Sequence, residues 1–225
     1  MSPRQRGALI STLTVPRLTK YLKIMAGDEH QALRLYVINA QLSAAILIDL
    51  HYTEVALRNK FESTIGMKFG ANWFNDAAFR KIIGVDAKTL KILDRAIKDA
   101  RKHLLPGQHL LPGKVVTELT FGFWHNLTVR KWEHTLWTPC LSRSFAPNKP
   151  PARAIFNKEL EELRLLRNRI AHHEPVFHLD LKTKMALNYA ILKMLCPATA
   201  HILHSTSTVD RQLKALKNFL RRRKK

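Results

Sequence analysis

Acidic residues are scarce in this 225-residue chain: 17 Asp and Glu stand against 38 Lys and Arg, a formal net charge of +21 at pH 7. So large an imbalance exceeds what solubility needs and points to a polyanionic partner, with nucleic acid as the first candidate. Cysteine is nearly absent, and Cys140 and Cys196 lie far apart without a partner at metal-ligand spacing. A disulfide framework and a zinc knuckle are therefore excluded as organising features. The eight glycines form no phosphate-cradling loop, and there is no G-x-S-x-G elbow, so kinase, dehydrogenase and esterase readings have no support. The N-terminus, Ser2 to Arg6, is polar and basic rather than apolar, unlike a secretory signal. No apolar run approaches a membrane span in length. The expectation is a soluble, cytoplasmic protein without a membrane partner.

Nearly half of the residues are apolar and Leu, Ala, Lys and Arg abound, which favours an all-α fold. Pro16 suits the first turn of a helix over 16–25, stopped at Gly27. Asp28 and Gln31 read as a capping pair opening a helix to about residue 65. Unbroken, that helix would be roughly 57 Å long, too long for one compact domain of this size, so a bend is expected at 51–53. Further helices are expected at 75–83, 86–104, 114–127, 129–137, 152–173, 182–195 and 209–220, with loops at 106–113 and 139–151 where Pro and Gly gather. No strand-like alternation persists. The whole chain, 1–225, reads as one helical domain ending in a basic tail at 221–225. Trp73, Trp124, Trp132 and Trp137 could stack on bases, and core packing is the expected role for most of them.

The segment Leu166-Arg167-Asn168-Arg169-Ile170-Ala171-His172-His173-Glu174-Pro175 carries the chemistry. On a helix, Phe156, Leu160, Leu163 and Ile170 form an apolar stripe with Arg167 in its middle, and a charge there is costly unless paired or functional. Asn168 and His172 are one turn apart, whereas Arg167 and His172 point about 140° apart. Metal-free RNA cleavage needs a base for the 2′-hydroxyl, an acid for the leaving 5′-oxygen and cationic stabilisation of the phosphorane. Histidine and arginine are suited to those roles, and asparagine can orient the ring or hold the phosphate. An Arg followed five residues later by His is expected about once by chance in a chain this rich in both. An Asn directly after the Arg lowers that figure to about 0.04.

This segment matches the R-x4–6-H motif of HEPN ribonucleases, and LRNRIAHHEPVF resembles the corresponding part of the Abi-like (abortive-infection) family. PRLTKYL, ALRLYVINAQLSAAIL, LHYTEVALRNKF and LTFGFWHNL follow the same family's order, so the likeness spans about Leu13 to Leu195. Where that family has Trp-Asn after its Leu-Tyr, this chain has Val37-Ile38-Asn39. The resemblance implies an HEPN-like helical bundle with additional helices, often a homodimer in which two motifs face each other. It also implies a metal-independent endoribonuclease without cofactors, used in phage defence or toxin–antitoxin systems, with RNA as substrate and an antitoxin protein or noncoding RNA as a further partner. Arg167, Asn168 and His172 would be catalytic. Some HEPN proteins are instead inactive RNA binders or partners of another enzyme, so a non-catalytic RNA-binding module and a protein-interaction component of a defence system stay open.

Glu54, Arg58, Asn59 and His173 are supporting candidates. Arg58-Asn59 is a second Arg-Asn pair, but no histidine follows at the required distance. Glu54 shares a helix face with Leu50, Leu57 and Phe61, and a carboxylate there needs a partner, with Arg58 or Arg167 as the choices. His173 is either a support for the site or a plain helix end. A metal site from His172, His173, Glu174 and His178 is disfavoured, because His173 and His178 are five apart rather than four and Pro175 interrupts the helix. His201 and His204 are expected at the surface.

Overall fold

Ser2 opens the first helix. Its hydroxyl accepts the Gln5 N–H while the Gln5 side chain accepts the Ser2 N–H, a reciprocal cap that satisfies two amides otherwise left without partners. The computed structural model describes residues 2–102, 104–105, 107–146 and 149–222. Among them, eleven α-helices and no strands are found: α1 Pro3–Leu13, α2 Val15–Ile24, α3 Glu29–Phe69, α4 Ala77–Gly84, α5 Ala87–Arg101, α6 Pro112–Glu118, α7 Phe121–Asn126, α8 Arg153–Ala171, α9 Leu181–Leu195, α10 Pro197–Thr206 and α11 Val209–Arg222. The all-α class expected from composition is therefore observed. Of the basic tail, Arg221 and Arg222 end α11, and residues 223–225 lie outside the described residues.

Several elements differ from the sequence expectation. Helix α1 was not anticipated, although Ser2-Pro3-Arg4-Gln5 carries the capping-box pattern. Asp28 does cap α3, its carboxylate accepting the Gln31 N–H at 3.0 Å. From there α3 runs without a break to Phe69, about 60 Å, with no interruption at 51–53. The packing divides the chain into two compact units. The first is Met1–Asp49, Leu166–Met185 and Thr206–Lys225, and the second is Leu50–Leu165 and Ala186–Ser205. The helix thus passes from one unit to the other at Asp49–Leu50. By length and composition alone α3 is also apolar enough to cross a bilayer, contrary to the expectation, although half of its most apolar stretch is buried within the protein. Asn39, Gln41 and Ser43 interrupt the apolar run in sequence without lowering its average much.

The helix expected at 114–127 is two, because Leu119 and Thr120 adopt extended backbone between α6 and α7. Residues 129–137 form a 3₁₀ turn at Arg130–Trp132 followed by a π-helical turn at Glu133–Trp137, and α10 occupies a segment where no helix was expected. The four tryptophans are buried, as expected. In the second unit Trp73 stands edge-on to Phe79 at 5.3 Å and tilted against Trp124 at 6.3 Å. Trp137, Phe145 and Phe156 form a second aromatic group.

The polar residues of Leu119–Leu127 tie that unit together. Asn126 donates to Thr89 and to Asp86, and its carbonyl accepts the Trp132 indole N–H at 2.7 Å. Bonds from Thr89 and Lys131 hold the Asp86 carboxyl far below the usual carboxylate range. His125 contacts Asn157 at 3.1 Å and Glu161 at 3.3 Å. Burial pushes its imidazole below the ordinary value, against the opposing pull of Glu161. Both cysteines are free thiols, Cys140 buried and Cys196 partly exposed.

Candidate functional site

Helix α8 ends where the motif lies. The Leu160, Leu163, Leu166 and Ile170 side chains are buried, and Arg167 and Asn168, between them in sequence, are half-buried. The helix stops at Ala171 because Pro175 disfavours continuation. His172 is the capping residue, its N–H donating to the Asn168 carbonyl at 2.9 Å, and its side chain is exposed. His173 then turns into the left-handed region with φ of 56°. The His173 N–H reaches the Ile170 carbonyl and the Glu174 N–H reaches the Arg169 carbonyl, both at 2.9 Å. This pair of bonds is a Schellman closure, which satisfies carbonyls that a helix end otherwise leaves free.

A Schellman turn ordinarily places glycine where His173 sits, because a Cβ in that conformation crowds the following carbonyl oxygen. His173→Gly should therefore hold or raise stability by up to ~1 kcal/mol, and His173→Val should lower it by ~1 kcal/mol or more. Urea midpoints at constant m-value compare the two. A valine variant as stable as the glycine variant would contradict the left-handed geometry.

Two residues of other helices hold the turn from outside, and one ion pair closes across it. Arg17 on α2 donates Nη1 to the His173 carbonyl at 3.0 Å. Arg169 pairs with Glu174 at 3.6 Å. Asn39 on α3, 5% exposed, accepts the N–H groups of Val176 and Phe177 at 2.8 and 3.2 Å. The chain after Pro175 is thereby pinned to α3 by one side-chain oxygen. Neither Arg17 nor Asn39 was among the residues selected from the sequence. Asn39 had a readable signal, since it falls on the buried face of α3 with Leu35, Leu42 and Ile46, where an amide requires partners. Arg17 had none.

The surroundings are cationic. The His178 imidazole is pushed below its ordinary value by partial burial and then by the charges of Lys20 and Arg169. Lys20 and Arg169 thus lie near His178 in the first unit, and Arg169 is itself paired with Glu174.

Arg167, Asn168, His172 and His173 lie together at this helix end, within the first unit. Glu54, Arg58 and Asn59 lie on the part of α3 that belongs to the second unit. Glu54 and Arg58 are half-buried, Asn59 is exposed, and the buried Nε of Arg58 has no hydrogen-bond partner among the described residues. His201 and His204 are exposed, as expected, with His204 against the Tyr189 ring at 5.7 Å.

No curated protein and no solved structure matches the chain. A family model described as Abi-like protein matches residues 17–178. That stretch contains most of α2, all of α3 to α8, the buried Asn39, the Schellman turn and the segment pinned beyond Pro175. With most of its length covered by the match, the chain belongs to the Abi-like protein family.

Proposed function

We propose that this chain is a metal-independent endoribonuclease of the HEPN kind, acting in the cytoplasm as an effector of abortive infection against phage or of a toxin–antitoxin pair. The observation that carries this reading is the placement of His172: exposed at the cap of α8, one turn beyond Asn168 and three residues after Arg169. An imidazole so placed is accessible to a nucleic-acid backbone and can exchange protons with it. Arg167 offers the planar donors that match phosphate oxygens, and Asn168 orients the ring or the phosphate. Membership of the Abi-like family supports the defence role.

In this reaction the ribose 2′-oxygen loses its proton to a base and attacks the adjacent phosphorus. The bond from phosphorus to the 5′-oxygen breaks, and an acid protonates the leaving oxygen. The products carry a 2′,3′-cyclic phosphate and a 5′-hydroxyl, and no water or metal is consumed. A homodimer would supply a second imidazole, so that one acts as base while the other acts as acid.

The test is cleavage of single-stranded RNA by the purified chain in EDTA, with the product ends identified by mass spectrometry. Cyclic phosphate ends formed at an undiminished rate are the expected result. Cleavage abolished by EDTA would reject the mechanism, and RNA bound but left intact would favour a non-catalytic RNA-binding module.

A further inference from the structure

Beside the Schellman turn lies a cavity of about 260 Å³ in the first unit, lined by Tyr21, Tyr36, Asn39, Ser43, Ile170 and His173 among others. Its volume is just below the ~300–1,000 Å³ of pockets for drug-sized ligands, which suits a single flat ring system. Two of its polar groups have no internal use. The hydroxyls of Tyr21 and Ser43 are buried and lack a hydrogen-bond partner among the described residues, and Tyr21 as a whole is 1% exposed. Buried hydroxyls are ordinarily satisfied, and an unsatisfied pair lining one cavity calls for an explanation.

We propose that this cavity binds a nucleobase of the RNA substrate, with the hydroxyls of Tyr21 and Ser43 reading the edge of the base. The ligand's identity rests on the ribonuclease reading, but the site rests on its own geometry. Tyr36, half-buried and edge-on to Tyr21 at 5.4 Å, gives the cavity an aromatic side, of the kind on which unstacked bases are held. From the end of α8 and the turn after it come Ile170, Ala171 and His173, the last two flanking His172 in sequence. A base seated here brings its own ribose-phosphate to the segment bearing the exposed imidazole.

The polar groups favour an edge rich in acceptors. Burial pushes the Tyr21 phenol up to about 12, so it remains a proton donor at neutral pH. Asn39 has its carbonyl oxygen engaged by two backbone amides, which leaves N–H as the group it can offer. Ser43 can act either way. Guanine presents two adjacent acceptors, O6 and N7, whereas adenine places a donor beside N7. The site therefore prefers guanine to adenine.

The experiment is isothermal titration of the full chain with GMP and AMP, in wild type, Tyr21→Phe and Ala44→Trp. Ala44 is exposed and lines the cavity on α3, so the tryptophan plugs the opening without disturbing the core. Unfolding curves verify that each variant folds, and Tyr21→Phe should be as stable as wild type because the lost hydroxyl has no partner. GMP should bind at least tenfold more tightly than AMP, lose about tenfold in affinity with Tyr21→Phe, and lose measurable binding with Ala44→Trp. Equal affinity for the two nucleotides, or GMP binding unchanged by Ala44→Trp, would overturn the proposal. Nucleotide binding requires no turnover. A wild type that binds GMP but never cuts RNA would therefore fail the ribonuclease reading and keep the cavity.

Discussion

His172→Ala should slow RNA cleavage by about 10²–10⁴-fold, the usual contribution of a positioned general acid or base, and leave the fold unchanged. The side chain is exposed at the end of α8, and surface substitutions of this kind stay within about 0.5 kcal/mol of wild type in stability. Arg167→Ala should cost a comparable ~10²–10³-fold through lost stabilisation of the phosphorane. Lysine should rescue it poorly, because an ammonium cannot reproduce the two-pronged contact of a guanidinium. Arg167 is half-buried and makes other interactions, so its variants need an unfolding curve beside the rate. Metal-free single-turnover cleavage of labelled RNA reads the chemical step for both residues. If the His172→Ala protein cuts at the wild-type rate, proton transfer at this helix end is not the mechanism. If expression of the wild type arrests growth and that of the double variant does not, toxicity and cleavage share one site.

The second large effect concerns a residue that performs no chemistry. Asn39→Ala should destabilise the protein by ~2–4 kcal/mol, because it strands two backbone donors in the interior at about 1–3 kcal/mol each. Val176 is fully buried and Phe177 nearly so, which leaves water poorly placed to replace the amide oxygen that bonds them at 2.8 and 3.2 Å. Asn39→Asp keeps the acceptor but adds a buried charge, so it should fall between alanine and wild type. Urea denaturation at constant m-value measures the loss. The alanine variant should also cleave RNA more slowly, since the turn bearing His172 is anchored from the far side of Pro175 by these two bonds. A loss below about 0.5 kcal/mol would mean that Asn39 is not the anchor.

Much of the helix plan was legible in the residues. Pro175 places the end of α8, Asp28 and Gln31 place the start of α3, and Phe156, Leu160, Leu163 and Ile170 are all buried on one stripe. These are local signals, acting within one or two helical turns, and a single sequence expresses them directly. The motif Arg167-Asn168-x-x-x-His172 was readable for the same reason. The course of 129–137 was not: the segment reads as one helix, whereas the chain makes a 3₁₀ turn and then a π-helical turn, with Trp132, Leu136 and Trp137 buried. Helix α10 also escaped notice, since its short apolar set of Ala200 and Leu203 acquires meaning only beside Leu192, Tyr52 and Tyr189.

The primary structure by itself determined an all-helical protein with a strongly cationic character and an Arg-Asn-x-x-x-His segment at a helix end, because composition, capping and proline act over a few residues. The tertiary structure alone decided that α3 runs unbroken from one unit to the other. It also decided that Asn39 holds the chain beyond the motif from 137 residues away, and that two buried hydroxyls line a cavity beside His173. Those features depend on which distant groups satisfy one another's hydrogen bonds, and no local pattern of residues encodes that choice.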